Sequence, residues 1–399
     1  LQGVAGEPLI VTTFSPIGLP RGGRPEGTSL RILIETDAAA DTVWRYGLDL
    51  AAGLARLGHE TVLALIGPAP TSEQIRAAAA IPGLRLVDTG LALDPLAGDE
   101  AALSRAASVI AELAADAEAD LVQLNTSALA ALADFGRPVV AAHQRCVATW
   151  WDSVEGGEVP AEFAWRADLT RAGLEAADAI VAPSTAFGAV VKRVYGLQGV
   201  PRTVHNGRSP LAAAQGAPHD FVFTAGRLWD ESKNLGLLDA AAGRIGVPVR
   251  AAGPLAGPDG TRVMFDNIHC LGALGEEALG RWLSARPVFV CTATYEPFGL
   301  AVLEAAAAGC ALVLSDIPTF RELWDEVAIF VDPSDEDGFT RIIGELVGDD
   351  FERAVLGRAA RERAGRYTPD AMAAQMASLY RSLLPAVHRP VLAAARAAA

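Results

Sequence analysis

The sequence predicts an α/β protein made of two doubly wound, parallel-sheet domains. Three observations predict it. Short, wholly apolar runs alternate with longer amphipathic or Ala-rich runs, the pattern of buried parallel strands joined by helices. The hexapeptide His-Asn-Gly-Arg-Ser-Pro at 205–210 interrupts that alternation midway, and Asn-Gly with a nearby Pro makes a turn suited to a hinge. Beyond it the alternation resumes, and one complete strand–loop–helix–strand unit stands out at 287–316. The 399 residues suffice for two or three domains with ample core.

In order along the chain, residues 1–28 are rich in Gly and Pro, with a short apolar piece at 8–14, and read as an extension or edge element. The regular pattern starts with a strand at 30–35, an amphipathic helix at 41–57 ended by Gly58, and a strand at 61–66. A helix at 71–80, a strand at 84–87, a long helix at 100–117 and strands at 121–124 and 139–142 follow. Next come a helix at 162–177, a strand at 179–182, a helix capped by Ser184 and a strand at 202–205. The second half holds strands at 221–225, 247–251, 268–271, 288–291, 311–314 and 329–331, with helices at 233–244, 276–285 and 299–308. Gly309 stops the last of these. Three helices, at 335–347, 350–364 and 369–384, precede an Ala-rich tail. The expected division is 1–28 extension, 29–207 first domain, 208–368 second domain and 369–399 closing helix. No short-period repeat is visible.

Composition narrows the partners. A formal net charge of −15 makes a nucleic-acid partner unexpected and shows no strongly basic membrane-binding face. The apolar fraction is high because Ala is abundant, which implies helices rather than a membrane. The longest apolar candidate, 299–314, is broken by Glu304 and Gly309 and is too short to span, so no transmembrane segment is expected. Cys146, Cys270, Cys291 and Cys310 are widely spaced with no C-x-x-C pair, which argues against a zinc site or a disulfide framework and suits a reducing cytoplasm. The chain opens without Met and without the basic-then-apolar pattern of an export signal. A cytoplasmic place is therefore expected, with peripheral contact at the inner membrane face left open.

The loop at 292–297 lies at the carboxyl end of one strand and the amino end of one helix, where open α/β sheets bind ligands. The first N–H groups of a helix have no internal partner, and the helix dipole makes that end positive. Phe298, Gly299 and Leu300 can therefore hold a phosphate, and Gly299 lets a ligand approach the backbone. Glu296 stands just before this anion site, and Glu304 follows eight residues later. Carboxylates at those places are poor phosphate ligands but good acceptors for sugar hydroxyls. The stretch reads as a nucleotide-sugar site: diphosphate on the helix end, hexose at Glu296, ribose at Glu304. A Glu in the first turns of a helix also serves the dipole alone.

The string EPFGLAVLEAAAAG at 296–309 resembles the E-x7-E signature of retaining GT-B glycosyltransferases of family 4 type (glycosyl transferases group 1). That resemblance extends over most of the chain. It implies two Rossmann-like domains facing across a cleft, with the last helix crossing back to the first domain. TAGRLWDESKN at 224–234 resembles the family's G-R-L…K element, in which Arg227 and Lys233 would hold the donor diphosphate; the Lys stands one residue further from the Arg than is common. Both also read as solvated cations at a helix start, a place where the dipole opposes them and favours an anionic ligand. Gly253, in Ala-Gly-Pro, lines the base pocket by the same resemblance or makes a plain turn. Ala273 and Leu274 would meet the base through backbone atoms.

On the acceptor side, His143 ends a first-domain strand, where relatives place a His facing the donor sugar; a neutral imidazole can bond a sugar hydroxyl. Arg145 neighbours it, and Trp150 and Trp151 follow in a loop, either as a sugar platform or as packing for that loop. Many relatives carry Gly-Gly in the first βα loop, where this chain has Ala40, Asp41 and Thr42; Asp41 also reads as a helix cap. Trp44 and Arg45 are expected near the cleft mouth, Arg45 meeting an acceptor anion or standing as a surface residue. The one D-x-D, Asp335 to Asp337, starts a late helix and reads as a cap.

The resemblance implies retaining transfer of a sugar from a nucleoside-diphosphate donor to a hydroxyl acceptor: a carbohydrate, a glycolipid or a small molecule. Glu296, His143, Arg227 and Lys233 would carry the chemistry. A UDP-sugar is favoured and GDP-mannose comes next. No metal or cofactor is expected, because the metal-binding D-x-D belongs to another glycosyltransferase fold. A phosphorylase of the same fold needs a Lys for pyridoxal phosphate, and neither Lys192 nor Lys233 has that setting. The alternative is a non-catalytic nucleotide-sugar-binding protein, suggested by the altered Gly-Gly loop and the shifted Lys. A two-lobed solute-binding protein fits less well without an export signal.

Overall fold

The computed structural model describes residues 12–13, 29–37, 41–91, 100–211, 220–258 and 260–384. Most of the expected N-terminal extension, Ala40 and the tail beyond 384 lie outside the described residues. The first sheet contains β1 (Thr12–Thr13), β2 (Arg31–Asp37), β3 (Glu60–Ile66), β4 (Leu84–Asp88), β5 (Leu121–Leu124), β6 (Val139–Ala142), β7 (Ala179–Ala182) and β8 (Arg202–Thr203). Their spatial order is β1-β4-β3-β2-β5-β6-β7-β8. The second contains β9 (Val222–Ala225), β10 (Val249–Ala252), β11 (Ile268–Cys270), β12 (Val288–Cys291), β13 (Ala311–Ser315) and β14 (Ile329–Val331), in the order β11-β10-β9-β12-β13-β14. Among the described residues every strand pairing is parallel.

Alternate strand residues feed opposite helix layers, as the period of two requires. In β2, Ile32 and Ile34 pack with Leu50 and Leu54 of helix Asp41–Arg56, while Leu33 packs with Ile110 and Leu113 of helix Glu100–Asp116. In the second sheet, Phe223, Phe289, Leu312 and Leu314 join Val302 and Leu303 of helix Leu300–Ala308. Val222, Val288, Val290 and Val313 face Leu238 and Phe339 on the other side. Two three-layer sandwiches result, each with strands buried on both faces.

Helix Pro369–Leu383 packs in the first domain's core, with Met372, Met376 and Tyr380 beside Leu50 and Leu54. Gly53 permits this contact: a Cβ there would stand 2.5 Å from the Pro369 carbonyl oxygen. Ser184 Oγ caps helix Thr185–Tyr195 through Phe187 N at 3.1 Å, and Gly309 ends helix Leu300–Ala308 at φ 86°.

The structure corrects three local expectations. Trp150 and Trp151 lie on a helix, Val147–Val154, not in a loop; the Cys146 thiol caps it by accepting from Thr149 N at 3.4 Å. The helix expected at 233–244 is split: a 3-10 turn, Glu231–Lys233, ends at Asn234 in the left-handed region (φ 51°), and helix Leu235–Ala242 follows. A helix Pro318–Trp324, unforeseen in the sequence, opens with Pro in its first turn, where the missing N–H costs nothing.

Candidate active site

The loops after β9 and β12 meet at the carboxyl ends of their strands. Thr292 Oγ1 donates to the Lys233 carbonyl at 2.8 Å, and Thr294 N donates to the Ser232 carbonyl at 2.9 Å. These bonds stitch the 3-10 turn to the loop before helix Leu300–Ala308. Lys233 Nζ is ion-paired with Glu296, and both side chains are mostly buried. Burial works against the Lys233 charge, but Glu296 and Asp230 more than offset it, so the ammonium titrates above its usual value. Gly299 stands at the helix start with φ 91°; a Cβ there would lie 3.1 Å from Phe320 Cε1 and 3.4 Å from Glu296 Cγ. The tight turn therefore needs glycine, and Glu296 sits directly against the helix end. Phe298 is buried in the second domain's core.

Arg227 does not stand free. Its Nε and Nη2 both donate to Asp230 Oδ2 at 3.1 Å. Asp230 is 3% exposed and gathers further partners from the first domain: Arg145 Nη1 at 3.5 Å and the Trp150 indole N–H at 3.0 Å. Burial pushes the Asp230 carboxyl up, but Arg145, Lys233, Ser232 and Trp150 together hold it below the usual range. Asp230 was not singled out in the sequence. Its signal was its place between two cations, Arg227 and Lys233. Trp150 is thus committed to the interdomain seam by its N–H.

On the facing side, His143 is 2% exposed. Its Nδ1 lies 3.0 Å from Ser127 Oγ, its ring stacks on Phe187 at 5.9 Å, and Tyr195 meets it edge-on at 6.0 Å. Nε2 is buried without a hydrogen-bond partner among the described residues, which leaves an unsatisfied polar atom just beyond the end of β6. Burial raises the Cys146 thiol, but His143, Thr149 and Tyr195 bring it down to about 7. Tyr295 of the second domain covers this cluster, its hydroxyl 2.8 Å from Thr149 Oγ1.

Glu304 is 4% exposed and receives two arginines on one oxygen: Arg45 Nη1 at 3.1 Å and Arg208 Nε at 2.9 Å. Arg45 is thus tied to Glu304 and mostly buried, not a surface residue, and Trp44 is core at 4% exposed. Their helix packs inward along its whole apolar stripe, which carries both with it. Thr42 is exposed at the helix start, and the Asp41 side chain lies outside what is described. Gly253, at φ 150°, is demanded by the backbone itself: a Cβ there would fall 1.7 Å from the Gly226 carbonyl oxygen. Leu274 is half-buried against the second domain's core. Asp335 accepts from Gly338 N at 2.8 Å and Asp337 pairs with Arg244. No cluster of three or more His, Cys, Asp or Glu suited to a metal ion occurs among the described residues, nor a helix long and apolar enough to cross a membrane.

Comparison with known proteins agrees with this arrangement. Residues 43–210 match the model of Glycosyltransferase Family 4, and residues 264–363 match that of Glycosyl transferases group 1. A D-inositol 3-phosphate glycosyltransferase of Corynebacterium urealyticum is 30% identical over 208 residues, 46% of this chain and 48% of the relative. The match therefore spans about half the length of that relative. The sucrose-phosphate synthase structure from Thermosynechococcus elongatus superposes with TM-score 0.70 at 20% identity, covering 89% of this chain and 99% of that one. Anabaena HepE, solved with UDP and glucose, superposes with TM-score 0.67 at 16% identity, covering 89% and 100%. These two likenesses concern the fold. On its two matched domains and this architecture, the chain belongs to the GT-B glycosyltransferases of family 4, group 1 type.

Proposed function

We propose that the chain transfers a sugar from a nucleoside-diphosphate-sugar to a hydroxyl acceptor, with retention at the anomeric carbon. The observation that carries this reading is the convergence of Lys233, Glu296 and the start of helix Leu300–Ala308 at one point, with Arg227 on the same turn. Arg227, Lys233 and the helix end stabilise the departing diphosphate. Glu296 orients the hexose, Glu304 accepts from the ribose, and His143 reaches the sugar from the first domain through its unpartnered Nε2. Gly253 and Leu274 border the base; Arg145 and Thr42 border the acceptor. No side chain stands as a nucleophile, so the leaving phosphate takes the acceptor's proton as the new bond forms on the same face. The protein contributes positioning and charge stabilisation. No metal or cofactor is required. A UDP-sugar is the favoured donor, with GDP-mannose next, and the acceptor belongs to polysaccharide or glycoconjugate synthesis on the cytoplasmic side.

One observation favours a second reading, a nucleotide-sugar-binding protein without turnover: Arg227, Lys233 and Glu304 are all already ion-paired within the protein. A thermal-shift screen with UDP, GDP, ADP and their sugar conjugates tests both. The expected result is a rise in Tm with one diphosphate, lost in Arg227→Ala, together with slow hydrolysis of the matching sugar conjugate. Binding without hydrolysis or transfer selects the second reading, and no shift with any nucleotide sinks both.

A further inference from the structure

One buried carboxylate, Asp230, joins the two domains beside the donor cations, and its role rests on the donor site proposed above. Asp230 stands between Arg227 and Lys233 in the donor turn, and its side chain is 1% exposed. Oδ1 accepts from Ser232 N at 3.1 Å, Ser232 Oγ at 2.6 Å and the Trp150 indole N–H at 3.0 Å. Oδ2 accepts from Arg227 Nε and Nη2 at 3.1 Å each and from Arg145 Nη1 at 3.5 Å. These bonds divide by domain. Ser232 and Arg227 belong to the donor turn, where Asp230 caps the 3-10 turn Glu231–Lys233. Arg145 and Trp150 belong to the first domain, to the loop after β6 and to helix Val147–Val154.

A buried carboxylate held by its own turn is a stiff point of reference, because losing its partners leaves a desolvated charge. The loop that docks on it starts at His143, two residues before Arg145. Arg145 and Arg227 each keep 30% exposure, and a guanidinium has N–H groups to spare for a ligand. The other charged tie between the domains is Arg208, which donates to Asp49 of the first domain at 3.0 Å and to Glu276 and Glu304 of the second. Arg208 lies in the hinge hexapeptide, and rotation about a hinge displaces the hinge residues least. Asp230 joins residues outside that hexapeptide, so opening of the domains separates it from Arg145 and Trp150. Its charge also has a cost: a carboxylate against Arg227 and near Lys233 repels a diphosphate brought to the same cations.

We propose that Asp230 is a positioning residue for transfer: it seats Arg145 and Trp150 on the donor turn, and so holds His143 and its loop against the donor sugar when the domains are closed. Alignment and affinity are then opposed at one carboxylate, since the charge that seats the first domain weakens the grip on the diphosphate. A residue that only supported the donor turn would serve both. An Asn at 230 separates the two roles. It keeps an oxygen for Ser232 and Trp150 but turns an NH2 towards two guanidiniums, donor against donor, so Arg145 leaves and Arg227 is released.

The test measures wild type, Asp230→Asn and Trp150→Phe as full chains, with UDP, GDP and ADP by calorimetry and with their sugar conjugates by hydrolysis. Asp230→Asn is expected to bind the diphosphate that wild type binds equally well or up to about tenfold more tightly. Its kcat for the matching sugar conjugate is expected to fall at least about tenfold, the worth of a hydrogen bond to a charged group. Trp150→Phe leaves the donor turn untouched and is expected to keep the affinity while losing about fivefold in kcat, so the inference stays testable if Asp230→Asn fails to fold. Hydrogen exchange at residues 145–150 reads the docking without turnover: with nucleotide bound it should be about tenfold faster in Asp230→Asn than in wild type, and faster by a smaller factor in Trp150→Phe. A retained kcat, exchange at the wild-type rate, or an affinity that falls along with kcat overturns the role of Asp230 while leaving the donor site intact. If Asp230→Asn does not fold, wild-type kcat and exchange in Trp150→Phe overturn it equally. A wild type that binds no diphosphate overturns the donor site and this inference together.

Discussion

Glu35 lies within β2, wholly buried, and accepts from Asn125 N at 2.8 Å, Thr126 N at 2.8 Å and Thr126 Oγ1 at 3.0 Å. Burial outweighs these three donors and lifts its carboxyl from 4.5 to about 7. The folded state therefore binds a proton that the unfolded state has already lost between those two values. Stability must fall as pH rises through that window, by about 3 kcal/mol from this group. Urea unfolding of wild type and Glu35→Gln from pH 4.5 to 7.5 checks this: the variant should lack the slope, and an identical slope would mean Glu35 is ionised throughout. At this scale the sequence was uneven. Arg227, Lys233, Glu296 and Glu304 stand out as candidates because each lies in a contiguous string whose spacing has chemical meaning. Arg208 and Asp49 do not, because their partners lie far along the chain; Arg208 and Asp49 are 159 residues apart.

Strands were the most legible elements. A parallel strand buried on both faces is a short apolar run, and β5, β6, β7, β12 and β14 fall where such runs stand. Helix Val147–Val154 escaped notice because its aromatic and β-branched residues are weak helix formers, and its cap is a thiol rather than Ser or Asp. Tertiary packing against Tyr195 and Tyr295 supplies what propensity lacks. The closing helix offers a direct test of element packing. Gly53 meets the Pro369 carbonyl and the Ala373 methyl so closely that any side chain must push helix Pro369–Leu383 away. Gly53→Val is expected to lower stability by roughly 2 kcal/mol and to raise protease cleavage near residue 369, readable by limited proteolysis with mass analysis. Unchanged cleavage would show that this helix is held by Met372, Met376 and Tyr380 alone.

Across the molecule, the two sandwiches are joined by few but directional contacts. Tyr295 enters the first domain's cluster, the Trp150 indole reaches Asp230, and Ser184 Oγ donates to the Pro297 carbonyl at 2.7 Å. Glu322 caps helix Thr185–Tyr195 from the opposite domain: its two oxygens accept from Thr185 N and Ala186 N at 2.8 Å each, and His205 Nε2 of the hinge lies 3.0 Å away. A carboxylate on the positive end of a helix is a favourable tie. Burial pushes the Glu322 carboxyl up, but His205 and the two backbone donors bring it below its usual value. A depressed carboxyl stabilises the docked state at neutral pH and stops doing so only as pH falls through that lowered value. Glu322→Ala should therefore open the seam at pH 7, seen as at least tenfold faster hydrogen exchange at residues 185–186 and a larger radius of gyration by X-ray scattering. Wild type should approach the variant only in acid, below about pH 4.5. Added nucleotide should slow exchange in both proteins if donor binding draws the domains together, since a ligand for the closed form shifts the population towards it. If the variant exchanges at the wild-type rate at pH 7, the tie through Glu322 is idle, and the domains are held by the Tyr295 and Asp230 contacts and by the Arg208 network.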